Sequence, residues 1–173
     1  MNMLQKCGAI ALASLFFLTP ALAEEAKKPA ENPVVEHGWA KRCDAPKKSE
    51  EKGHCEVFQL LDTKEKSQRI AEFAIGTAEK KDKIAARGVA ILPLGMLVEP
   101  GVAMKIGDDK PASFKIRYCT PGGCYGFINI DKSMIDSLKK SKSVSFQFKS
   151  VDGQNVNIVM NLNGFEKALK EIQ

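Results

Sequence analysis

From residue 57 onward, apolar and polar side chains mostly alternate with a period of two. Alternating or short apolar runs occupy residues 57–61, 70–75, 88–92, 102–106, 114–118, 125–130, 144–148 and 156–162. Alternation is typical of strands that bury one face and expose the other, as in antiparallel sheets. The pattern predicts a mainly β fold, an antiparallel β-sandwich or barrel, and it does not distinguish the two. Asp152-Gly153 indicates a hairpin between the last two strands.

Two short segments have apolar side chains at helical spacing instead. Residues 131–140 carry an apolar stripe, with Asp131 placed to cap the N-terminus and lysines in the last turn. Residues 164–172 have a similar stripe, and Asn163 precedes them as a candidate cap. We expect these helices to cover an open edge or end of the sheets. Residues 80–86 form either a loose helical turn or a charged loop.

The first 23 residues have the three parts of a cleavable signal peptide. Lys6 supplies the positive charge, residues 7–18 form an uncharged and largely apolar run, and Ala21-Leu22-Ala23 is a small-x-small cleavage site. The apolar run is too short to span a bilayer, which takes about 20 apolar residues. We therefore expect residues 1–23 to be removed on export.

The mature chain would begin with a flexible leader over residues 24–36, which is charged, contains two prolines and has few apolar side chains. A single β domain would follow over residues 37–173. Its folded part would begin near Trp39, the chain's one tryptophan, because a large aromatic side chain near a domain boundary is usually a core anchor.

Export changes the interpretation of the cysteines. Without Cys7 the mature chain has four, namely Cys43, Cys55, Cys119 and Cys124. An even number in an exported protein indicates disulfides, because the compartments outside the cytoplasm are oxidising. Four cysteines allow three pairings, and the spacing favours Cys43–Cys55 and Cys119–Cys124.

Residues 119–124 could alternatively be a redox pair. Dithiol oxidoreductases usually place two residues between their cysteines, ahead of a helix that lowers the thiol pKa. Here four residues intervene, Thr-Pro-Gly-Gly, and a strand follows. Proline and glycine at these positions suit a turn, so we expect a disulfide that staples a hairpin across its own turn.

The charge is modest. The chain carries +5, and removal of Lys6 leaves 25 basic and 21 acidic residues, a net charge of +4. Lysines are mixed with acidic residues, which indicates a solvated surface; peripheral attraction to an anionic membrane is the alternative. The chain lacks the arginine–aromatic pattern of nucleic-acid binding, and we expect no nucleic-acid partner.

Motifs for catalysis, cofactors and metals are not found in the sequence. It has neither a Gly-x-Ser-x-Gly elbow nor a phosphate-binding glycine loop. Asp108-Asp109 is a carboxylate pair in turn-like surroundings. A metal site would need Cys43, His54 and Cys55, with His37 as a fourth ligand, but adjacent His54 and Cys55 do not match ligand spacings. We expect no catalytic, cofactor-binding or metal site.

Four motifs, taken in order, resemble one known family. They are Trp39-Ala40-Lys41-Arg42-Cys43 with Cys55 downstream, Leu92-Pro93-Leu94-Gly95 followed by Pro100-Gly101-Val102, the 119–124 turn, and Leu162-Asn163-Gly164-Phe165-Glu166-Lys167-Ala168-Leu169. Over residues 37–173 the chain resembles the invasion-associated locus B family of exported alphaproteobacterial proteins. One departure is Ile106-Gly107-Asp108-Asp109, where the family tends to place Asp directly after the hydrophobic residue.

The resemblance implies an exported, non-enzymatic envelope or surface protein that binds a partner and is linked to host-cell invasion or to envelope function. The partner would be a protein or another component of the envelope or host surface. The expected location is the periplasm, with outer-membrane association or secretion as alternatives.

The alternative function is a periplasmic enzyme or enzyme inhibitor on the same scaffold. A concave pocket with convergent polar groups and a perturbed carboxylate or histidine would favour an enzyme. A convex surface with a flat apolar patch would favour a partner interface.

Overall fold

The computed structural model describes residues 34–44, 53–64, 68–78 and 84–173; the expected signal peptide 1–23 and residues 24–33 of the expected leader lie outside this part. The elements in chain order are β1 (Val34–Glu36), β2 (Ala40–Cys43), β3 (Cys55–Thr63), β4 (Arg69–Thr77), β5 (Ala86–Leu92), β6 (Val102–Ile106), β7 (Ala112–Phe114), β8 (Ile116–Thr120), β9 (Gly123–Ile130), α1 (Lys132–Lys140), β10 (Ser143–Lys149), β11 (Asn155–Asn161) and α2 (Phe165–Lys170).

The strands form two antiparallel sheets, which confirms the mainly β prediction. The larger sheet has the order β1-β3-β4-β5-β9-β8, and β2 pairs with β3 beside β1. The smaller sheet has the order β11-β10-β6-β7. Two separate sheets with aromatic contacts between them make the fold a sandwich rather than a barrel.

The core lies between the sheets. Phe73 of the larger sheet meets Phe146 of the smaller sheet edge to face, with ring centroids 5.1 Å apart. Trp39 packs against Phe165 of α2, with ring centroids 4.8 Å apart, and its indole N–H donates to the Asn161 carbonyl of β11 at 3.2 Å. Trp39 is thus the core anchor that the sequence predicts, and it joins the start of the domain to its end.

The first strand corrects the predicted leader boundary. Val34–Glu36 were assigned to the flexible leader 24–36, but they form β1, in register with residues 61–63 of β3. The reason is that β3 is nine residues long and β2 covers only its first four, Cys55–Phe58. β1 occupies the remaining edge of β3 through backbone hydrogen bonds, which residue composition does not reveal.

The alternating segment 114–118, predicted as one strand, is divided between the two sheets. β7 ends at Phe114 and pairs with β6, whereas β8 begins at Ile116 and pairs with β9. The crossing at Lys115 brings Phe114 against Gly126, where an added Cβ would lie 2.2 Å from the phenyl ring. Alternation reports which side chains are buried, and it continues through a change of sheet because both sheets bury their side chains in one core.

Helix α1 agrees with its prediction. The Asp131 carboxylate accepts a hydrogen bond from the Met134 backbone N–H at 2.8 Å and one from the Ser133 hydroxyl at 2.7 Å. These bonds lower the pKa of Asp131. The cap therefore contributes its stability above the ordinary carboxyl pKa, and that contribution is lost as the pH falls through the lowered value.

Helix α2 differs at its start from the prediction. The residue at its cap position is Gly164, with a left-handed φ of 84°, and no side chain caps the helix. Asn163 is therefore not the cap; its own backbone N–H donates to the Asn161 side chain at 3.0 Å. The charged segment predicted at 80–86 lies largely outside the described residues, and its last residue, Ala86, begins β5.

Gln59 is one of two buried polar side chains in the described part of the chain, and neither polar atom of its amide has a hydrogen-bond partner there. A buried amide without a hydrogen-bond partner lowers the free energy of unfolding by about 1–3 kcal/mol. We expect Gln59→Met, which keeps the volume and removes the amide, to raise the free energy of unfolding by about 1–2 kcal/mol in chemical denaturation. Gln147→Met, at an exposed position of β10, is the matched control, and an equal gain there would refute the explanation.

Candidate functional site

The outer side of the larger sheet, facing away from the smaller sheet, carries aromatic and aliphatic side chains around one glutamate, Glu72. The antiparallel register aligns them in two rows across the strands. One row contains Phe58, Ala74, Val89 and Phe127, and the other contains Leu60, Glu72, Ile91, Tyr125 and Tyr118. We call these nine residues the aromatic face.

The most exposed part of the aromatic face lies on β8 and β9. Tyr118 and Tyr125, the two tyrosines of the chain, stack with ring centroids 4.9 Å apart and an interplanar angle of 23°. Phe127 lies 6.2 Å from Tyr118, and the Arg117 guanidinium sits 5.3 Å from the Phe127 ring centroid. Tyr118 is 47% exposed and Phe127 is 44% exposed. Large aromatic surface is thus presented to solvent beside a cation.

The four arginines of the chain border this face. Arg42 on β2 lies 4.4 Å over the Phe58 ring, and Arg87 on β5 shares a row with the Arg42–Glu56 pair. Arg69 begins β4, and Arg117 lies on β8. Arginine combines a permanent charge with a planar group that stacks on aromatic rings and pairs bidentately with carboxylates. The arrangement is suited to binding and has the residue types enriched in protein interfaces.

A buried carboxylate holds two of these arginines in place. Glu72 is only 2% exposed, and its two oxygens accept hydrogen bonds from Arg42 at 2.5 Å and from Arg69 at 2.8 Å. Arg42 also donates to Glu56 at 2.5 Å, and Arg69 donates to the Gly122 carbonyl at 2.7 Å. One network thus ties β2, β3 and β4 to the turn between β8 and β9.

The Arg42 guanidinium has a raised pKa, with two opposing causes. Burial lowers the pKa of Arg42, whereas its hydrogen bonds and charge interactions with Glu56 and Glu72 raise it by more. Arg42 therefore stays charged, and the two glutamates compensate its charge.

The predicted disulfides are both present, Cys43–Cys55 and Cys119–Cys124. Each joins directly opposite residues at the end of a hairpin. The next pair along the first hairpin is Arg42–Glu56, and the next along the second is Tyr118–Tyr125. Each disulfide therefore holds the register of a cross-strand pair that belongs to the aromatic face or its border.

The residues that the sequence suggested as metal ligands or as a carboxylate pair take part in separate interactions. Cys43 and Cys55 are bonded to each other, and His37 instead lies 3.0 Å from Asp62. Asp109 closes a turn with its N–H bonded to the Ile106 carbonyl. Within the described residues no group of three His, Cys, Asp or Glu side chains is placed to hold a metal ion.

The site residues that the sequence reasoning missed are Glu72 and its arginines. A glutamate inside an otherwise apolar strand is the available signal, because such a side chain must find a cation when the strand is buried. The partners of Glu72 come from 30 residues before it and three residues before it in the chain. Both contacts require the fold, since position i−3 lies on the opposite face of a regular strand, and the β3–β4 pairing becomes irregular beside Arg69, between Leu61 and Asp62.

A shallow depression of about 540 Å³ lies beside the network, lined by the network side chains together with Asp62, Gln68 and the Pro121-Gly122 turn. Its polar groups converge, but they pair with one another, since Glu72 bridges two guanidiniums. On the aromatic face, by contrast, Tyr118 and Phe127 are each more than two-fifths exposed. No helix among the described residues is long and apolar enough to cross a membrane.

The sequence matches a known protein family and a relative of similar name. A family model described as invasion associated locus B (IalB) protein matches residues 39–173. The chain is also 29% identical over 89 residues to invasion protein B of Bartonella bacilliformis. That match covers 49% of this chain, and the chain spans about half of the relative's length (48%).

The fold is similar to a solved structure, the crystal structure of invasion associated protein b from Bartonella henselae. The TM-score is 0.68 at 20% sequence identity, with 80% of this chain and 94% of the other chain covered. At this identity the likeness establishes the shared β-sandwich-like fold.

We expect Glu72→Gln to lower the free energy of unfolding by about 2 kcal/mol, because two guanidiniums lose the charge that compensates them in a partly buried site. Chemical denaturation measures the change. Glu166→Gln removes the exposed ion pair with Lys170 and is the control, for which we expect no measurable change. Equal effects of the two substitutions would contradict the role given to Glu72.

Replacing Cys119 and Cys124 together by serine should lower the free energy of unfolding by about 2 kcal/mol, because the denatured chain gains freedom. It should also reduce the near-ultraviolet circular dichroism of the stacked tyrosines, Tyr118 and Tyr125. The matched control replaces Cys43 and Cys55, which should cost about 3 kcal/mol and leave the tyrosine signal intact. An unchanged tyrosine signal in the first variant would show that the stack does not depend on its disulfide.

Proposed function

Because the chain belongs to the invasion associated locus B family, we propose that it is an exported binding protein without catalytic activity, whose binding surface is the aromatic face. The observation that carries this proposal is the gathering of both tyrosines and all four arginines on one side of the molecule. Tyr and Arg dominate the binding energy of protein interfaces, because each offers large contact area together with a hydrogen-bonding group.

The partner is an acidic polypeptide segment with apolar or aromatic side chains. The outward-facing residues of β3 and β4 include Glu56, Asp62 and Glu72, which engage Arg42, His37 and Arg69. The outward-facing residues of β5, β9 and β8 include Arg117, which lies over the Phe127 ring, and no carboxylate. This half of the surface is both positive and aromatic, which is complementary to carboxylates interspersed with apolar groups.

Export supports the same function. The N-terminal pattern favours cleavage after residue 23, and the two disulfides suit an oxidising compartment. The periplasm is the proposed location, with outer-membrane association or secretion as alternatives. The relatives named above are called invasion proteins, and their names support a target at the envelope or on a host-cell surface.

We expect Arg117→Glu to weaken binding to the acidic, aromatic partner at least tenfold, because the substitution reverses the charge beside Phe127. The mature protein, residues 24–173, is measured by biolayer interferometry against an immobilised peptide of alternating Glu and Tyr. A peptide of Lys and Tyr tests the charge requirement. Lys105→Glu is the matched control, because it makes the same charge change on β6 of the other sheet.

The same three proteins are then applied, with a fluorescent label, to bacterial envelope vesicles and to intact host cells. The proposal requires that wild type and Lys105→Glu bind the Glu–Tyr peptide and at least one of these surfaces, and that Arg117→Glu loses both. If the wild-type protein binds neither surface, or if both charge reversals weaken binding equally, the aromatic face is not the binding surface.

A further inference from the structure

The two sheets have four edges, and three of them are protected against pairing with another chain. β1 and β2 are three and four residues long, and β7 is three residues long. β8 carries Arg117 and has an irregular register with β9 between residues 116 and 118. Short strands, charged side chains and bulges are the usual devices that prevent edge-to-edge association.

The fourth edge, β11, has none of these devices. Its seven residues, Asn-Val-Asn-Ile-Val-Met-Asn, include no charge, no proline and no glycine, and they pair with β10 in an unbroken register. β11 lies at the end of the smaller sheet, and its other side has no strand partner in the part of the chain that the structure describes. Val159 is 50% exposed.

The hydrogen bonds that flank β11 show which of its backbone groups point outward. Leu162 N–H donates to the Lys142 carbonyl, and Ser150 N–H donates to the Gln154 carbonyl. Hydrogen-bonded pairs recur every second residue in an antiparallel ladder, so the even-numbered residues of β11 bond to β10. Asn155, Asn157 and Val159 therefore direct their N–H and C=O groups away from β10, and none of these groups bonds to another described residue.

We infer that β11 pairs with β11 of a second copy of this chain, antiparallel and centred on Asn157. In this register Asn157 faces its own symmetry mate, and Asn155 faces Val159 of the second copy on each side. The three facing pairs would form about six backbone hydrogen bonds. The two smaller sheets would become one continuous sheet across a two-fold axis.

The charges along β11 and β10 favour a second copy as the occupant. Across the extended sheet, Lys149 lies beside Asn155 and would continue to Val159 and Ser145 of the second copy. The central row would contain Asn157, Gln147, Ala103, Ser113 and their mates, none of which is charged. No like charges meet, and the two Asn157 amides can bond to each other. An uncharged edge gives no preference for a charged peptide, whereas the chain's own β11 is an uncharged strand of matching length.

The fold also limits the pairing. The Asn161 carbonyl already accepts the Trp39 indole N–H, so the edge is closed at that end by the start of the domain. Gly153 closes the other end in the β10–β11 turn, with φ at 82°. The symmetric pairing uses both free edges and is a closed dimer rather than a fibre. Because one strand pair buries less than a standard interface, we expect a dissociation constant on the order of 10–100 μM.

Sedimentation equilibrium of the mature protein, from about 10 μM to about 1 mM, tests the inference. We expect wild type to dimerise and Asn157→Lys and Asn157→Asp each to weaken dimerisation at least tenfold, because equal charges meet at the two-fold axis. An equimolar mixture of these two variants should restore dimerisation as a heterodimer. Asn129→Lys is the matched control, since it makes the same change at an exposed position of β9 in the other sheet. Circular dichroism verifies that each variant is folded.

Recovery in the mixture supports pairing at β11, because misfolded variants would not restore each other. A wild-type protein that stays monomeric at 1 mM overturns the inference. The inference is also overturned if Asn129→Lys abolishes dimerisation while Asn157→Lys leaves it unchanged. That result would place the interface on the outer side of the larger sheet. The result is independent of the proposed function, because peptide binding by the aromatic face is measured separately.

Discussion

A carboxylate cannot stay buried in a sheet unless cations compensate it, and Glu72 imposes this constraint on the larger sheet. Its partners, Arg42 and Arg69, lie on β2 and at the start of β4, so meeting the constraint fixes how the N-terminal strands sit on the sheet. Arg69 also bonds to Gly122, which extends the restraint to the turn of the β8–β9 hairpin. The position of the aromatic face relative to its bordering arginines depends on this one network.

The two disulfides stabilise the same surface, one beside its bordering arginine Arg42 and the other beside its stacked tyrosines. Cys43–Cys55 precedes the Arg42–Glu56 pair, and Cys119–Cys124 precedes the stacked tyrosines. A cross-strand disulfide prevents a hairpin from slipping in register, and a slip of one residue would turn every outward side chain inward. The cysteines are thus structural in their chemistry, yet what they hold in place are the residues to which we assign binding.

The two sheets differ in how they meet solvent. The larger sheet exposes aromatic side chains on its outer face, whereas the outer positions of β10 and β11 are mostly serine, asparagine, glutamine and lysine. The smaller sheet instead directs backbone N–H and C=O groups outward at the edge strand β11. A partner on the aromatic face and a second copy at β11 would occupy different sheets, so the molecule could bind both at once, and a dimer would present its aromatic faces in pairs.

The sequence by itself predicted most strand positions from β3 onward, helix α1 with its Asp131 cap and the family resemblance, and its spacing favoured both cysteine pairs, because alternation, capping and short loop closures are local properties of the chain. It left open sandwich or barrel and misjudged two boundaries, since β1 joins β3 only through backbone pairing and residues 114–118 keep their alternation while changing sheets. The tertiary structure alone decided the aromatic face. Its residues come from strands far apart in sequence, and their shared orientation follows from cross-strand register, which no local pattern encodes.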